Sequence, residues 1–203
     1  NTSQFKPINK DYSRKKLKIK LNKKVILFGS IDGGIDPRKG GDLLIDVLNF
    51  LKHNNENILI VIFGKKNKHQ DIFENTNFEI LNLGKINSNE TMAALYSAAD
   101  IFLIPSRIES FGQTAAEAQS CGTPVIGFDI GGLKDIVTHN KNGILIQPFN
   151  TKKMALAIDD LLKRDEKISR FSKASLENAI DRWDHLKVAK SHIDLYKNIL
   201  NYE

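Results

Sequence analysis

Two glutamates lie eight positions apart in the stretch "IPSRIESFGQTAAEAQSCGTPVIGF", which covers residues 104–128. Glu109 follows an apolar run with strand character, and Glu117 lies inside an alanine-rich segment with helical character. The rise of about 1.5 Å per residue places Glu117 roughly 6–9 Å from the predicted helix start. The first N–H groups of a helix can bind an anion, and carboxylates accept hydrogen bonds from hydroxyl groups. A ligand with phosphates between two polyols, such as a nucleotide-sugar, would satisfy all three features.

A second segment with suitable chemistry is the loop "GSIDGGIDPRKGGDLL", which follows the first predicted strand. It contains neither G-x-G-x-x-G nor a lysine followed by Ser or Thr, which disfavours a nicotinamide-dinucleotide fingerprint and a P-loop. Arg38 and Lys39 stand just before a predicted helix, where cations beside exposed N–H groups would form a diphosphate site. A surface loop with two solvated charges is the alternative, and the local sequence leaves both open.

The elements that must position these residues are apolar runs of strand length, separated by helical patterns. Most runs are continuous rather than alternating, which is typical of strands buried on both faces of a parallel sheet. Strands are predicted at 24–29, 57–64, 78–84, 100–106, 123–128 and 143–148, and helices at 40–53, 88–100, 111–121, 151–163, 165–182 and 184–201. The pattern predicts an α/β fold, a Rossmann-like doubly wound parallel sheet of about six strands with closing C-terminal helices.

In such a sheet, ligands bind beyond the carboxyl ends of the strands, near the point where the strand order reverses. Both acids and both cations follow predicted strands, so we expect them at this edge of the sheet. Trp183 and Tyr196 are predicted to anchor the closing helices to the core, and Cys121 to be a small core residue. His185 and His192 share a helix face without a metal-binding pattern.

The charge of the chain is concentrated at its start. The net charge is +6, and residues 1–24 hold nine Lys/Arg and one acid, which leaves 21 basic and 23 acidic residues beyond them. A near-neutral body without a reader motif disfavours nucleic-acid binding. Residues 1–22 are interpreted as a basic leader and interdomain linker that is solvated, with attachment to an anionic membrane surface as the alternative. Residues 23–203 are predicted to form one domain.

The stretch "ESFGQTAAEAQSCGTPVIGFDIGGLKDIV" resembles the E-x7-E region of the retaining glycosyltransferases of family 4, whose GT-B architecture has two Rossmann-like domains. "LFGSIDGGIDPRKGGDLL" resembles their donor-domain phosphate loop, "NLGKINSNETMAALYSAAD" the base-binding segment, "RWDHLKVAKSHIDLYKNIL" the closing helices and "NTSQFKPIN" the linker into the second domain. The resemblance covers nearly the whole chain. It implies a C-terminal, donor-binding domain, one half of a GT-B fold, and an N-terminal acceptor domain absent from this chain.

The resemblance also implies roles for the matching positions. Glu109 would contact the transferred sugar, Glu117 would bind the ribose hydroxyls, and Lys39 would neutralise the leaving diphosphate. Two further groups of donor-binding positions are implied. The backbone of the first group would meet sugar and diphosphate oxygens: Phe111, Gly112, Gln113 and Thr114. The second group would hold the base: Gly84, Lys85 and Ile86. The chain has Ser30 where the family usually has an arginine, and Arg38 is hypothesised to replace that cation.

The implied reaction is the retaining transfer of a hexosyl residue from a UDP- or GDP-linked sugar to a saccharide or lipid-linked acceptor, in cell-surface polysaccharide or lipopolysaccharide synthesis. No cofactor is implied, and the lack of a D-x-D pair agrees with the metal independence of the family. One cysteine and no membrane-length apolar run favour the cytoplasm, with peripheral association at the inner membrane face left open. The alternatives are a non-catalytic nucleotide-binding module, or another GT-B enzyme such as a sugar epimerase or phosphorylase.

Overall fold

The sheet has the doubly wound order. The computed structural model describes residues 1–29, 36–51, 57–65, 73 and 76–200. Six strands form one sheet: β1 (Lys24–Gly29), β2 (Ile58–Phe63), β3 (Glu79–Asn82), β4 (Ile101–Ile104), β5 (Val125–Phe128) and β6 (Gly143–Ile146). Their order is β3-β2-β1-β4-β5-β6, and each of these pairings is parallel. The order reverses between β1 and β4, so the predicted fold class is confirmed.

The helices follow the predicted pattern with two additions. They are α1 (Lys10–Lys16), α2 (Gly41–Phe50), α3 (Asn89–Ala98), α4 (Gln113–Ser120), α5 (Leu133–Ile136), α6 (Thr151–Leu162), α7 (Asp165–Asn178) and α8 (His185–Leu200). A 3-10 turn, Pro37–Lys39, precedes α2, and a π-helical turn, Ala179–Trp183, precedes α8. Helices α1 and α5 were not predicted. The helix predicted at 165–182 is divided, because the regular α-helix ends at Asn178.

Both faces of the sheet are covered, which explains the continuous apolar runs. Successive side chains of a strand point to opposite faces. Ile26 and Phe28 therefore pack with α2, α6 and α7 on one side, whereas Val25 and Leu27 pack with α3, α4 and α5 on the other. Cys121 is buried on this second side, as predicted.

Most charged side chains of the basic leader are solvated, as interpreted, but part of the leader is built into the domain. Helix α1 packs against α3. Phe5 is buried, and the side chain of Arg14 is only 5% exposed. Its guanidinium donates to the carbonyl oxygens of Ala98, Leu21 and Lys23 and to Oδ2 of Asp100, at 2.9–3.0 Å. A guanidinium has five N–H donors, so one buried arginine can tie several carbonyl groups together. The boundary at residue 22 stays a prediction.

Helix α8 is exposed along its whole length. Its apolar side chains lie in contact with water, and Leu186, Tyr196 and Leu200 are 68%, 59% and 73% exposed. The predicted role of Tyr196 as an anchor to the core is therefore wrong for this chain. The described residues leave the apolar face of this helix open to solvent beyond Val188, which lines a cavity with Trp183. None of the described helices is long and apolar enough to cross a bilayer.

Replacing Arg14 by methionine should destabilise the whole domain. The substitution removes the guanidinium from the carboxylate of Asp100, which is 9% exposed and keeps the N–H group of Val25 and the partly exposed Lys10 as partners. Breaking a buried ion pair from one side costs about 3–5 kcal/mol of unfolding free energy. Because Lys10 remains, we expect the lower part of that range. Urea denaturation measures the effect. The matched control is Lys15→Met on the exposed face of α1, which should change the unfolding free energy by less than about 0.5 kcal/mol. Equal effects of the two substitutions would show that the leader is solvated.

Candidate functional site

The loop between β4 and α4 carries the first glutamate and ends at a glycine. Gly112 has a φ of +90°, and a Cβ there would lie 3.2 Å from Cδ1 of Ile136. Its carbonyl oxygen accepts from the N–H groups of Ala115 and Ala116, which begins α4. No side chain caps this helix. The first N–H groups of a helix have no intrahelical partner, so α4 begins with a potential anion site, as the sequence predicted.

The position of Glu109 is fixed by backbone contacts with the loop after β5. The N–H group of Gly132 donates to the carbonyl oxygen of Glu109 at 3.0 Å. A Cβ at Gly131 would lie 1.9 Å from that same oxygen, and a Cβ at Gly132 would lie 2.4 Å from the carbonyl oxygen of Ser110. These two glycines therefore allow the loops to meet backbone to backbone. They support the glutamate rather than line the cavity described next.

Lys39, Glu109 and Glu117 face the same cavity, which has a volume of about 440 Å³. Nζ of Lys39 donates to Oε2 of Glu109 at 2.9 Å, and the two side chains are 34% and 11% exposed. The described residues that line the cavity come from the ends of β1, β2 and β4 and from α3 and α4: Gly29, Asp36, Arg38, Lys39, Phe63, Met92, Tyr96, Glu109, Gln113, Thr114 and Glu117. The structure thus brings together the two acids and the cation that the sequence singled out.

Glu117 is a half-buried carboxylate held by two hydrogen-bond donors. The hydroxyl of Tyr96 donates to Oε2 at 3.1 Å, and Nε2 of Gln113 donates to Oε1 at 3.0 Å. Burial raises the pKa of Glu117 above its ordinary value, while the hydrogen bonds from Gln113 and Tyr96 act in the opposite direction. Burial also raises the pKa of Tyr96 well above its usual range, so the phenol stays protonated and keeps its hydrogen to donate.

Arg38 lines the cavity beside an acid. Its guanidinium forms a bidentate pair with Asp36, and its side chain is 70% exposed. The hydrogen bonds from Arg38 lower the pKa of Asp36. A diphosphate that recruits Arg38 must therefore compete with this carboxylate. Ser30, the position of the missing family arginine, lies outside the described residues, so the hypothesis that Arg38 replaces it stays a prediction.

Five of the predicted donor-binding residues are not in the lining of this cavity: Phe111, Gly112, Gly84, Lys85 and Ile86. The ring of Phe111 packs edge-on against Trp183, with centroids 5.2 Å apart, and lines a neighbouring cavity of about 490 Å³. Gly84, with a φ of +67°, follows β3 and accepts from the N–H group of Gly64 at 2.9 Å. Lys85 and Ile86 continue this loop. Glu117 and Gln113 line both cavities, so Phe111 lies next to the site without facing Lys39. The predicted roles of these residues stay untested.

Tyr96, Met92, Phe63 and Asp36 line the cavity but were not singled out from the sequence. Met92 and Tyr96 are four residues apart in a helical segment, so they share a helix face. That spacing could have identified them as a pair, although it is equally typical of core packing. Among the described residues, no group of three or more His, Cys, Asp or Glu side chains is placed to hold a metal ion.

Comparison with known proteins identifies the class. The profile of the family described as "Glycosyl transferases group 1" matches residues 9–178. The chain therefore belongs to the glycosyl transferases group 1 family, and its fold is that of the C-terminal domain of a GT-B glycosyltransferase.

One relative and two solved structures show where this chain fits within the family. An uncharacterized glycosyltransferase of Methanocaldococcus jannaschii is 30% identical over 195 residues, which are 91% of this chain and 47% of the relative. Sucrose-phosphate synthase from Thermosynechococcus elongatus is 24% identical, with a TM-score of 0.84 over 100% of this chain and 51% of that one. The C-terminal domain of a group 1 glycosyl transferase from Francisella tularensis is 21% identical, with a TM-score of 0.76 over 91% of this chain and 98% of that one. The chain thus spans about half the length of the curated relative.

Glu117→Gln should stabilise the chain near neutral pH. Because burial raises the pKa of Glu117 above its ordinary value of 4.5, the folded state binds more protons than the unfolded state between the two pKa values. The unfolding free energy of the wild type therefore falls as the pH rises through this window. Glutamine keeps the shape without the charge, so the difference in unfolding free energy between the variant and the wild type should grow in the variant's favour from pH 4 to pH 7.

Urea denaturation across this pH range provides the measurement. The control is Glu166→Gln, the same substitution at an exposed position on α7. Parallel pH curves for Glu117→Gln and the wild type would contradict the raised pKa of Glu117.

Proposed function

We propose that this chain is the donor-binding half of a retaining glycosyltransferase that transfers a hexosyl residue from a nucleotide-diphosphate sugar to a saccharide or lipid-linked acceptor. The observation that carries the proposal is the shared cavity of Lys39, Glu109 and Glu117 at the switch point of the sheet. A volume of about 440 Å³ lies within the usual range for small-molecule sites. Two carboxylates and a cation around a helix N-terminus match a ligand with a diphosphate between two polyols.

Charge complementarity supports a distinct role for each group. Lys39 and the N-terminus of α4 supply positive charge, which favours the diphosphate. Glu109 is an acceptor for sugar hydroxyls, and Glu117 is an acceptor for the ribose hydroxyls. Lys39 and Glu109 are paired with each other in the structure. When the donor binds, the ion pair must separate, so that Lys39 contacts the diphosphate and Glu109 contacts the sugar.

The proposed reaction depends on stabilising a leaving group. Breaking the anomeric bond adds negative charge to the nucleoside diphosphate, and Lys39 together with the start of α4 can stabilise that charge electrostatically. A single donor of this kind contributes about 2.7–4 kcal/mol to lowering a reaction barrier. The acceptor hydroxyl attacks the anomeric carbon from the face from which the diphosphate departs, which retains the anomeric configuration. Its proton passes to the departing phosphate oxygen, so no separate strong base is needed. We propose that neither a metal ion nor a cofactor takes part.

The exposed face of α8 supports a missing N-terminal acceptor half as the partner of this chain. The hydroxyl of Thr2 donates to Asp184, and Asn1, Gln4, Trp183 and Val188 line one cavity, so the start of the chain lies beside the start of α8. Since the chain spans 47% of the Methanocaldococcus relative, we propose that the acceptor half covers the apolar face of α8. The proposed setting is cell-surface polysaccharide or lipopolysaccharide synthesis in the cytoplasm, with peripheral association at the inner membrane face.

A thermal-shift panel of UDP, GDP, ADP and their sugar conjugates should identify the donor class. A ligand that binds only the folded state at about 100 times its Kd adds about 2.7 kcal/mol of stability. For a chain of this size, that stabilisation corresponds to a rise in Tm of roughly 5–10 °C. We expect one base to be preferred, and we expect the chain alone not to transfer sugar to an acceptor. No shift with any nucleotide at millimolar concentration would overturn the proposal, as would robust transfer by the chain alone.

Lys39→Met and Glu109→Gln should affect the binding of donor fragments in different ways. The loss of a hydrogen bond between charged groups should weaken nucleoside diphosphate binding about 10- to 100-fold in Lys39→Met, with nucleoside binding unchanged. Glu109→Gln removes the competing charge beside Lys39. We therefore expect it to bind the nucleoside diphosphate at least as tightly as the wild type and the nucleotide-sugar more weakly. Isothermal titration calorimetry measures both effects, with Lys152→Met on the exposed start of α6 as the control. Equal weakening of nucleoside, nucleoside diphosphate and nucleotide-sugar binding by both variants would refute the assigned roles.

A further inference from the structure

We propose that Tyr96 is a positioning residue that holds the Glu117 carboxylate in the orientation needed to accept both ribose hydroxyls, and that it thereby makes the site selective for ribonucleotides. The inference rests on the proposed function, in which Glu117 binds the ribose. It goes further by naming a residue of α3 that does not touch the ligand and a selectivity that depends on it.

The ring of Tyr96 is locked in the core. The residue is 0% exposed, and its ring makes edge-to-face contacts with Phe5, Phe63 and Phe102 at centroid distances of 5.6–6.3 Å. Its backbone is held as well, because the hydroxyl of Thr123 donates to the carbonyl oxygen of Tyr96 at 2.6 Å. Such a side chain cannot stack on a base or a sugar. Its effect on a ligand passes through the one group at the cavity to which its hydroxyl donates, the carboxylate of Glu117.

The two donors to Glu117 leave acceptor capacity on both of its oxygens. Tyr96 donates to Oε2 and Gln113 donates to Oε1. A carboxylate has about four lone-pair positions, so each oxygen can accept one further hydrogen bond. A vicinal diol such as the 2′- and 3′-hydroxyls of ribose presents two donors side by side. Gln113 is exposed and can change its rotamer, whereas the buried phenol of Tyr96 has a fixed position. Tyr96 therefore determines the orientation in which the carboxylate meets the diol.

The pH dependence of binding provides a second signature of this contact. The hydrogen bond from Tyr96 lowers the pKa of Glu117, so removing the hydroxyl should raise that pKa further. The loss of ribonucleotide binding on acidification should then begin at a higher pH. The other ionisable groups that face Glu117 come from the end of α4, the chain start and the linings of its two cavities: Cys121, the amino group of Asn1, Asp36, Arg38, Lys39, Glu109 and His185. None of them is changed by Tyr96→Phe.

The experiment compares the ribo and 2′,3′-dideoxy forms of UDP, GDP and ADP by calorimetry. The wild type should prefer the ribo form of its nucleotide. Tyr96→Phe should weaken binding of that form roughly tenfold, which is the typical effect of one hydrogen bond to a charged group, and leave the dideoxy form within about twofold. The matched control is Tyr12→Phe, which removes a phenol hydroxyl from an exposed position on α1 and should leave the ribo-to-dideoxy ratio unchanged. In a Glu117→Gln background, Tyr96→Phe should have little further effect on the ratio.

The outcomes separate this inference from the proposed function. If the wild type binds a nucleoside diphosphate with a ribo preference and Tyr96→Phe keeps both the preference and the pH profile, the inference is overturned and the proposed function stands. If no nucleotide binds, both are overturned. Should Tyr96→Phe not fold, Gln113→Met removes the other donor from an exposed position and should change the ratio by less than about twofold, because the phenol still fixes the carboxylate. A roughly tenfold fall of the ratio in that variant would assign the orientation to Gln113 and overturn the inference.

Discussion

A Cβ at Gly40 would lie 2.0 Å from the carbonyl oxygen of Pro105, so the loop after β1 and the end of β4 meet backbone to backbone. The N–H group of Arg107 strengthens this contact by donating to the carbonyl oxygen of Arg38 at 2.7 Å. Residues 70 positions apart in the chain are thereby brought together, and Lys39 reaches Glu109. Glycine at position 40, with a φ of +70°, is the residue that makes the approach possible. A side chain there would push the cation away from the acid, and the diphosphate and sugar ends of the site would separate.

In the ion pair that results from this approach, the charges of Lys39 and Glu109 neutralise each other before any ligand binds. An uncompensated charge in a half-buried position is costly, and the pairing of Lys39 with Glu109 avoids that cost. A donor substrate can replace both partners at once, because its diphosphate is an acceptor for the lysine and its sugar hydroxyls are donors to the glutamate. A bare nucleoside diphosphate satisfies only the lysine. Under the proposed function, the contact between the two loops would therefore favour ligands that carry both groups, and the geometry of the sheet edge would contribute to selection of the intact donor.

The sequence could predict what depends on local patterns. Continuous apolar runs identified the sheet, because only strands buried on both faces tolerate them, and the spacing of Glu109 and Glu117 placed one acid in a loop and the other in a helix. The ion pair between Lys39 and Glu109 depends on a contact between loops that are distant in the sequence. A local sequence pattern does not predict such a contact. Tyr96 could not be singled out from the sequence. An aromatic residue on the apolar face of a helix shows the same spacing whether or not its hydroxyl donates to a functional residue. Arg14 could not be distinguished from the solvated charges around it in the sequence. Its burial depends on carbonyl groups of α3 and of the loop after α1.

Phe111 connects the candidate site to the exposed helix α8. It directly precedes Gly112, at which α4 begins, and its ring packs against Trp183 at the end of the π-helical turn from which α8 continues. The guanidinium of Arg182 lies over the ring of Trp183 and donates to the carbonyl oxygen of Asp135, so the turn is also tied to α5, next to the glycines that support Glu109. The direction of α8 and the start of α4 are therefore set by one group of contacts. A partner that covers the apolar face of α8 would affect the same contacts that fix the N-terminus of α4, where the diphosphate is proposed to bind. Through these contacts, docking of the second half of the proposed enzyme and binding of the donor could influence each other.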